Sequence, residues 1–209
     1  MVGSTARACE WVGYISEEFA FDDFPPGARV LDLGFGGGEQ MRRLQAVGCR
    51  SVGLELDPAL ARRARESGLA VARAYAEQLP IRTASVDGVV CKVVIPYTEE
   101  SAAIAEIARV LPSGGTARIS YHGLGYFLRY TLADRNWKVR VYGLRSIVNT
   151  LVFAMTSRRL PGFLGDTLYQ SERRLRRYYE ANGLDLIEVH PSPSFAGAPV
   201  FIYHVLRRR

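Results

Sequence analysis

Apolar positions along this chain come in two kinds of pattern, short runs and helical stripes. Arg29 to Leu33, Ser51 to Leu56, Ala70 to Arg73, Ser85 to Cys91 and Thr116 to Tyr121 are brief stretches dominated by Val, Leu, Ile and Ala, as in buried parallel strands. Between them Met41, Leu44 and Val47, then Ile104, Ile107, Ala108 and Leu111, recur at helical spacing. Gly48 stops the first helix. Asp57-Pro58 supplies an N-cap and a first-turn proline for a second, which runs through Arg65 and stops near Gly68. Strand and helix therefore alternate at βαβ spacing, which predicts an α/β fold with a doubly wound, mostly parallel sheet. Gly183 to Val189 and Val200 to Leu206, joined by a Pro-rich loop without a helix, close the chain as a strand pair. At the other end Trp11, Tyr14, Ile15, Glu18 and Phe19 predict a leading helix in region 10–28. It would cover a sheet edge or the mouth of a site before Asp22, Asp23, Pro25, Pro26 and Gly27 break the chain.

Residues 122–182 are longer than a crossover helix requires. Leu144, Ile147, Val148, Leu151, Val152 and Met155 follow the i, i+3, i+4, i+7 rule and predict an amphipathic helix whose stripe packs against the sheet. The competing expectation is a lid or apolar tunnel for a lipid-like or aromatic ligand. An apolar loop, Leu160 to Gly165, leads to Asp166 or Thr167 as a cap for the next helix. That helix reaches Ala181 and carries Arg173, Arg174, Arg176 and Arg177, expected on a solvated face or against an anionic ligand. An insertion after the fifth strand lies over the carboxyl ends of the strands, where open α/β sheets bind ligands, so residues 122–182 are the expected substrate cap.

Length and composition narrow the class. At 209 residues the chain is expected to form a single domain, 1–209, around one core. Cys9, Cys49 and Cys91 are odd in number and unclustered, which argues against a disulfide framework or a metal site and suits a reducing, cytoplasmic setting. No secretory signal is expected, and the apolar run near Ile147 to Met155 is shorter than a membrane span. The net charge of +6 is concentrated: residues 121–180 hold ten Arg and one Lys against four acids, a net of +7. That segment could meet an anionic acceptor, an acidic partner, a peripheral membrane surface or RNA. Nucleic acid is the weakest of these, because the basic residues stand in one cap and no RNA-binding module is recognisable before or after the α/β domain.

The candidate chemistry lies in Val30 to Glu39, an apolar strand running into a glycine-dense turn and then a helix. Such a junction presents backbone N–H groups at a helix N-terminus, and missing side chains let a ligand lie against the chain. Gly34 and Gly36 fit a dinucleotide fingerprint, but Glu39 occupies the third glycine position. Asp32, two residues ahead of Gly34, would repel a pyrophosphate and attract a cationic sulfonium or ammonium. Asp32-x-Gly34-x-Gly36-x-Gly38 resembles the first motif of class I S-adenosylmethionine (SAM) dependent methyltransferases. Ala74 to Pro80, followed by Ser85 to Cys91, is similar to the adenine loop and fourth strand of small-molecule members, of the type 11 kind. Arg109 to Gly115 resembles their helix–turn–strand junction.

The resemblance spans residues 29–121 and the two final strands. It implies a Rossmann-like, seven-stranded sheet with one antiparallel strand and SAM as cofactor. Asp32, Gly34, Phe35, Gly36 and Gly38 would hold the methionine end. Glu55, about twenty residues beyond the glycines, would accept ribose hydroxyls, with Leu56 beside it. Ala76 and Glu77 would sit near adenine. Tyr75 stands where the family usually has Asp, so the adenine contact departs from the pattern. Lys92, a cation ending an apolar strand, is expected to line the pocket with its stem while its head reaches Asp32, Glu39 or solvent.

A sulfonium methyl is already activated, so the protein mainly supplies alignment. A hydroxyl acceptor also needs a base, for which His122, just past the fifth strand, and Tyr97, just past the fourth, are the candidates. Tyr97 follows Pro96 as in an amine-directed signature whose Asn or Asp is absent here. His190 and His204, in or beside the last strands, suit structural roles. The expected function is methyl transfer to a small-molecule or lipid-like acceptor. The alternatives are RNA methylation through the basic cap, or a catalytically silent scaffold.

Overall fold

The structure, a computed structural model, describes residues 19–190 and 192–209. Seven strands form one sheet in the order β3-β2-β1-β4-β5-β9-β6. They are β1 (Arg29–Leu33), β2 (Arg50–Glu55), β3 (Val71–Arg73), β4 (Gly88–Lys92), β5 (Thr116–His122), β6 (Leu184–His190) and β9 (Phe201–Arg208). Strand β9 is antiparallel to both its neighbours, while the other described pairings are parallel. The expected closing pair and its single antiparallel strand are therefore present. The intervening loop adds a short hairpin, β7 (Ser194–Phe195) with β8 (Ala198–Pro199).

Helices α1 (Glu39–Ala46), α2 (Pro58–Glu66) and α3 (Glu100–Val110) are the crossovers of the parallel half. Asp57 caps α2 as its sequence suggests, its carboxylate accepting from Ala59 N at 2.7 Å and Leu60 N at 3.0 Å. Side chains alternate across the sheet. Leu31, Leu33, Val89 and Cys91 join one apolar layer with Ile104, Ile107, Leu175 and Tyr179. Val30 and Val90 join the opposite layer with Phe19, Phe21, Phe24 and Tyr203. Asp32 and Lys92 share parity with Val30 and Val90, so they project toward that second, aromatic layer. The expected leading helix lies outside the described residues apart from Phe19, which is buried and stacks on Tyr203.

After β5 come α4 (Leu124–Ala133) and α5 (Trp137–Thr156), packed together, then α6 (Glu172–Ala181). Helix α4 went unpredicted. Gly143 permits its close approach to α5, since a Cβ there would run into Phe127 O and Thr131. Three sequence expectations need correcting. The N-cap of α6 is Ser171, not Asp166 or Thr167. The stripe of α5 does not pack on the sheet: Leu144, Val148, Leu151 and Met155 are exposed, and the buried positions are Gly143, Arg145, Ser146, Asn149 and Thr150. Nor is the arginine-rich α6 wholly solvated. Arg174 is buried and ion-paired with the fully buried Glu100 on α3, Nε to Oε2 at 2.8 Å, with Gln170 Nε2 donating to the same carboxylate at 2.7 Å.

Candidate active site at the carboxyl edge of the sheet

Strand order reverses between β1 and β4, and a crevice opens at the carboxyl ends of the strands at such a switch point. The glycine turn leaves β1 here. Gly34 has φ +74°, and a Cβ on it would run into Val94 Cγ2, so only glycine lets the turn pass beside the end of β4. Gly36 and Gly37 have nothing within 4 Å of where a Cβ would stand, which leaves a cradle open above the backbone. Gly38, with φ 77°, is the N-cap of α1.

Asp32 is the electrostatic centre of the crevice. It is 1% exposed, and among the described residues its Oδ2 has no hydrogen-bond partner. Burial raises its pKa from 3.8 to about 7, against the pull of the Lys92 cation and with a small push from Glu55. Lys92 is itself pushed down by burial, and its Nζ stands 4.5 Å from the centroid of the Phe21 ring. Val93, the next residue, has φ +56°, a costly backbone conformation for a β-branched side chain. It is held by a bond from its N–H to Ser120 O at 2.9 Å.

Glu55 ends β2 beside the turn. Its Oε2 accepts from Gly36 N at 3.1 Å, and its Oε1 accepts from Leu56 N at 2.8 Å and Asp57 N at 3.1 Å. The carboxylate thus braces the glycine turn, and Oε2 keeps capacity for a further donor. Leu56 is exposed at the strand end. The Phe35 ring packs inward with Met41, Ala61, Ala64 and Leu69, so it offers the crevice only backbone. Ala76 is buried in the core, while the Glu77 carboxylate accepts from Glu99 N at 2.8 Å, tying the adenine-loop segment to the start of α3. Tyr75 is exposed and bridged to Gln78.

On the β4–β5 side the edge is aromatic. His122, the last residue of β5 and not a residue beyond it, stacks on Tyr126 with centroids 3.8 Å apart and stands edge-on to Tyr97 at 6.3 Å. Burial lowers its pKa from 6.5 to about 3, so the ring is neutral at ordinary pH. Tyr97, in the short 3₁₀ turn Ile95–Tyr97, has its OH 3.5 Å from that of Tyr142 on α5. Tyr126 OH donates to Tyr130 OH at 2.8 Å. Burial holds the Tyr97 and Tyr126 phenols well above their usual range. Tyr126, Tyr130 and Tyr142 were not among the sequence candidates. The i, i+4 spacing of Tyr126 and Tyr130 on α4 was the available signal for those two, and it needed a helix assignment that the sequence pattern did not give.

His204 is buried, with Nδ1 2.8 Å from the Tyr179 hydroxyl, which lies 2.7 Å from that of Tyr121, a structural role as expected. Among the described residues no group of His, Cys, Asp and Glu could hold a metal ion.

Residues 31–119 match a family model described as a methyltransferase domain. No curated protein matches the chain. An S-adenosylmethionine-dependent methyltransferase from Mesorhizobium loti superposes with a TM-score of 0.65 at 16% identity, over 98% of this chain and 99% of that one. A Listeria monocytogenes protein assigned to the same class gives 0.68 at 16% identity, over 97% and 99%. A chain from the complex between the Haloferax volcanii Trm112 methyltransferase activator and a methyltransferase gives 0.67 at 19% identity, over 96% and 92%. At such identities the likeness to these structures is one of fold. The family model runs from β1 through β5 and so contains the glycine turn and the edge described above. Residues 31–119 thus carry a methyltransferase domain in a chain with the fold of S-adenosylmethionine-dependent methyltransferases, and domain and fold together imply S-adenosylmethionine as the cofactor.

Proposed function

We propose that the enzyme methylates a small-molecule or lipid-like acceptor held between the carboxyl ends of β4 and β5 and the helical cap of residues 122–182. The observation that carries the cofactor's placement is the Asp32 carboxylate, buried with its Oδ2 unpartnered among the described residues, beside an open glycine cradle. A cation there would supply the missing partner, whereas a diphosphate would add like charge. In this reading Asp32 holds the cationic methionine end, and Gly34, Gly36 and Gly38 let it approach the backbone. The spare capacity of Glu55 Oε2 takes a ribose hydroxyl, with Leu56 as its apolar neighbour. Ala76 and Glu77 border adenine. Lys92 keeps Asp32 partly charged before the ligand arrives.

The cofactor supplies an activated methyl group when bound. The aromatic edge then has to orient the acceptor and keep water away. His122 and Tyr97 are positioned for this, but burial works against proton abstraction by either: His122 stays neutral with a pKa near 3, and Tyr97 keeps its proton. We therefore assign both to aligning an acceptor that brings its own lone pair, with Tyr126 and Tyr142 completing the aromatic wall.

Calorimetric titration with SAM tests the cofactor site, and Glu55→Ala is expected to weaken binding by about 1–3 kcal/mol if a ribose contact is lost. Radiolabelled methyl transfer into fractionated lysate tests the acceptor class. Label in lipid or small-molecule fractions supports the proposal. Label confined to RNA would replace it with RNA methylation, and no transfer to any fraction would favour a silent scaffold.

A further inference from the structure

Helix α5 is amphipathic in the wrong sense for a helix packed in a globular domain. Its inward face is polar and bonded to the segment that follows it. Asn149 Nδ2 donates to Thr167 O at 2.9 Å, and its Oδ1 accepts from Leu160 N at 2.8 Å. Thr150 Oγ1 accepts from Tyr169 N at 3.0 Å, and Arg145 Nη2 donates to Asp166 Oδ2 at 2.8 Å. Asn149 and Thr150 satisfy backbone groups of segment 160–169 and Arg145 pairs with its Asp166 side chain, and that duty fixes the helix's rotation.

The apolar residues are consequently turned outward. Trp137, Val141, Leu144, Val148, Leu151 and Met155 recur at intervals of four and three along the 20-residue helix, and all are exposed, Trp137 by 68% and Met155 by 78%. Phe163 and Leu164, exposed by 68% and 46%, add apolar surface beside the helix, where the Phe163 ring centroid lies 3.8 Å from Arg145 Cζ. A continuous apolar stripe of this length on the outside of a domain marks a contact surface.

Charge says what covers it. From Arg135 to Gly165 the chain contains six cations, Arg135, Lys138, Arg140, Arg145, Arg158 and Arg159, and no acidic residue. Arg135, Lys138, Arg140 and Arg158 are exposed and flank the stripe at its two ends. A second copy of the same face would bring like charges together, which disfavours a symmetric dimer across it. An apolar face with an aromatic residue near one end and a cationic border fits the interface of an anionic lipid layer, lying in its plane. No helix among the described residues is long and apolar enough to cross a membrane, so contact would be peripheral.

We propose that the outer face of α5, with Phe163 and Leu164, docks this enzyme on an anionic lipid surface. The geometry adds a functional consequence: Tyr142, on this same helix, touches Tyr97 at the candidate acceptor edge, so docking places that edge beside the lipid layer. The docking itself does not depend on which acceptor is methylated.

The test is cosedimentation of the full chain with vesicles of phosphatidylglycerol and phosphatidylcholine, against phosphatidylcholine alone, at rising salt. Trp137 emission is followed in a Trp11→Phe background, because the chain has only these two tryptophans. The expected result is preferential binding to the anionic vesicles by at least about tenfold, a blue-shifted Trp137 and weakening by salt. Leu144→Glu with Leu151→Glu should abolish binding while thermal unfolding stays unchanged, since both side chains are exposed. Lys138→Glu with Arg158→Glu, at exposed positions, should do the same through charge, which keeps the test open if the first variant folds poorly. SAM titration on the same samples reports the cofactor site separately. No binding to anionic vesicles, binding indifferent to both variants, or self-association abolished by the Leu variants in the absence of vesicle binding would each overturn the proposal.

Discussion

The parallel half of the sheet and the α4–α5 hairpin obey opposite rules. In residues 29–122 the strands and the crossover helices bury mostly apolar side chains, and among the polar ones drawn inward Asp32 lies at the site. In α5 the stripe is exposed and the buried face is made of Arg145, Ser146, Asn149 and Thr150. The difference follows from what each region packs against. Strands satisfy their own backbone in the ladder, so their neighbours need only offer apolar surface. The segment 160–169 has no ladder, and the helix beside it must supply polar partners or leave buried amides orphaned. Amphipathicity thus reports that a helix has two faces. Which face lies inside depends on the unmet needs of its neighbour.

The largest effect should come where α6 is tied to the parallel half. Arg174→Met strands Glu100 without its cation in a fully buried place, and chemical denaturation should show a loss of about 3–5 kcal/mol.

Next is Asp32, whose raised pKa has a defined sign. The folded carboxyl holds its proton up to about pH 7 while the unfolded one releases it near 3.8, so this group's contribution to stability is full below pH 3.8 and is lost as pH rises through 7. The gap of about three pH units sets an upper limit of about 4 kcal/mol on that loss. Asp32→Asn should therefore be more stable than the parent at pH 8, with the advantage shrinking toward pH 4, while its affinity for SAM falls by about 1.5–3 kcal/mol. Denaturation series of both proteins across that range give the difference directly.

Smaller again, and aimed at the comparison itself, are two changes on α5. Asn149→Ala on the inner face should cost about 2 kcal/mol by orphaning Leu160 N and Thr167 O, whereas Leu144→Gln on the outer face should stay within about 0.5 kcal/mol. The reverse order in thermal melts would mean that α5 packs by its apolar side after all.

The same physics explains what could be read beforehand. The strands, the caps at Asp57 and Gly48 and the glycine turn depend on local chemistry, and all were legible. The closeness of Asp32 and Lys92 followed from their strand parity. Three things were not local. The Glu55 carboxylate braces three backbone amides across the turn, a duty no spacing reveals. The neutrality of His122 comes from burial among Tyr126, Phe127 and Phe201, which belong to elements distant from it in kind. Helix α4 was hidden because Gly123 and Gly125 weaken a helical pattern, yet both are there to meet the β8 backbone.

The central claim is that the Asp32 turn binds a sulfonium nucleoside and not a diphosphate. Calorimetric titration with SAM at pH 6, repeated in buffers of different ionisation enthalpy, tests it most directly. At that pH Asp32 is mainly protonated, so a cationic ligand should bind one to one and release close to one proton, and the release should vanish in Asp32→Asn. Tight binding of NAD with SAM ignored, or SAM binding with no proton release and no dependence on Asp32, would contradict the account.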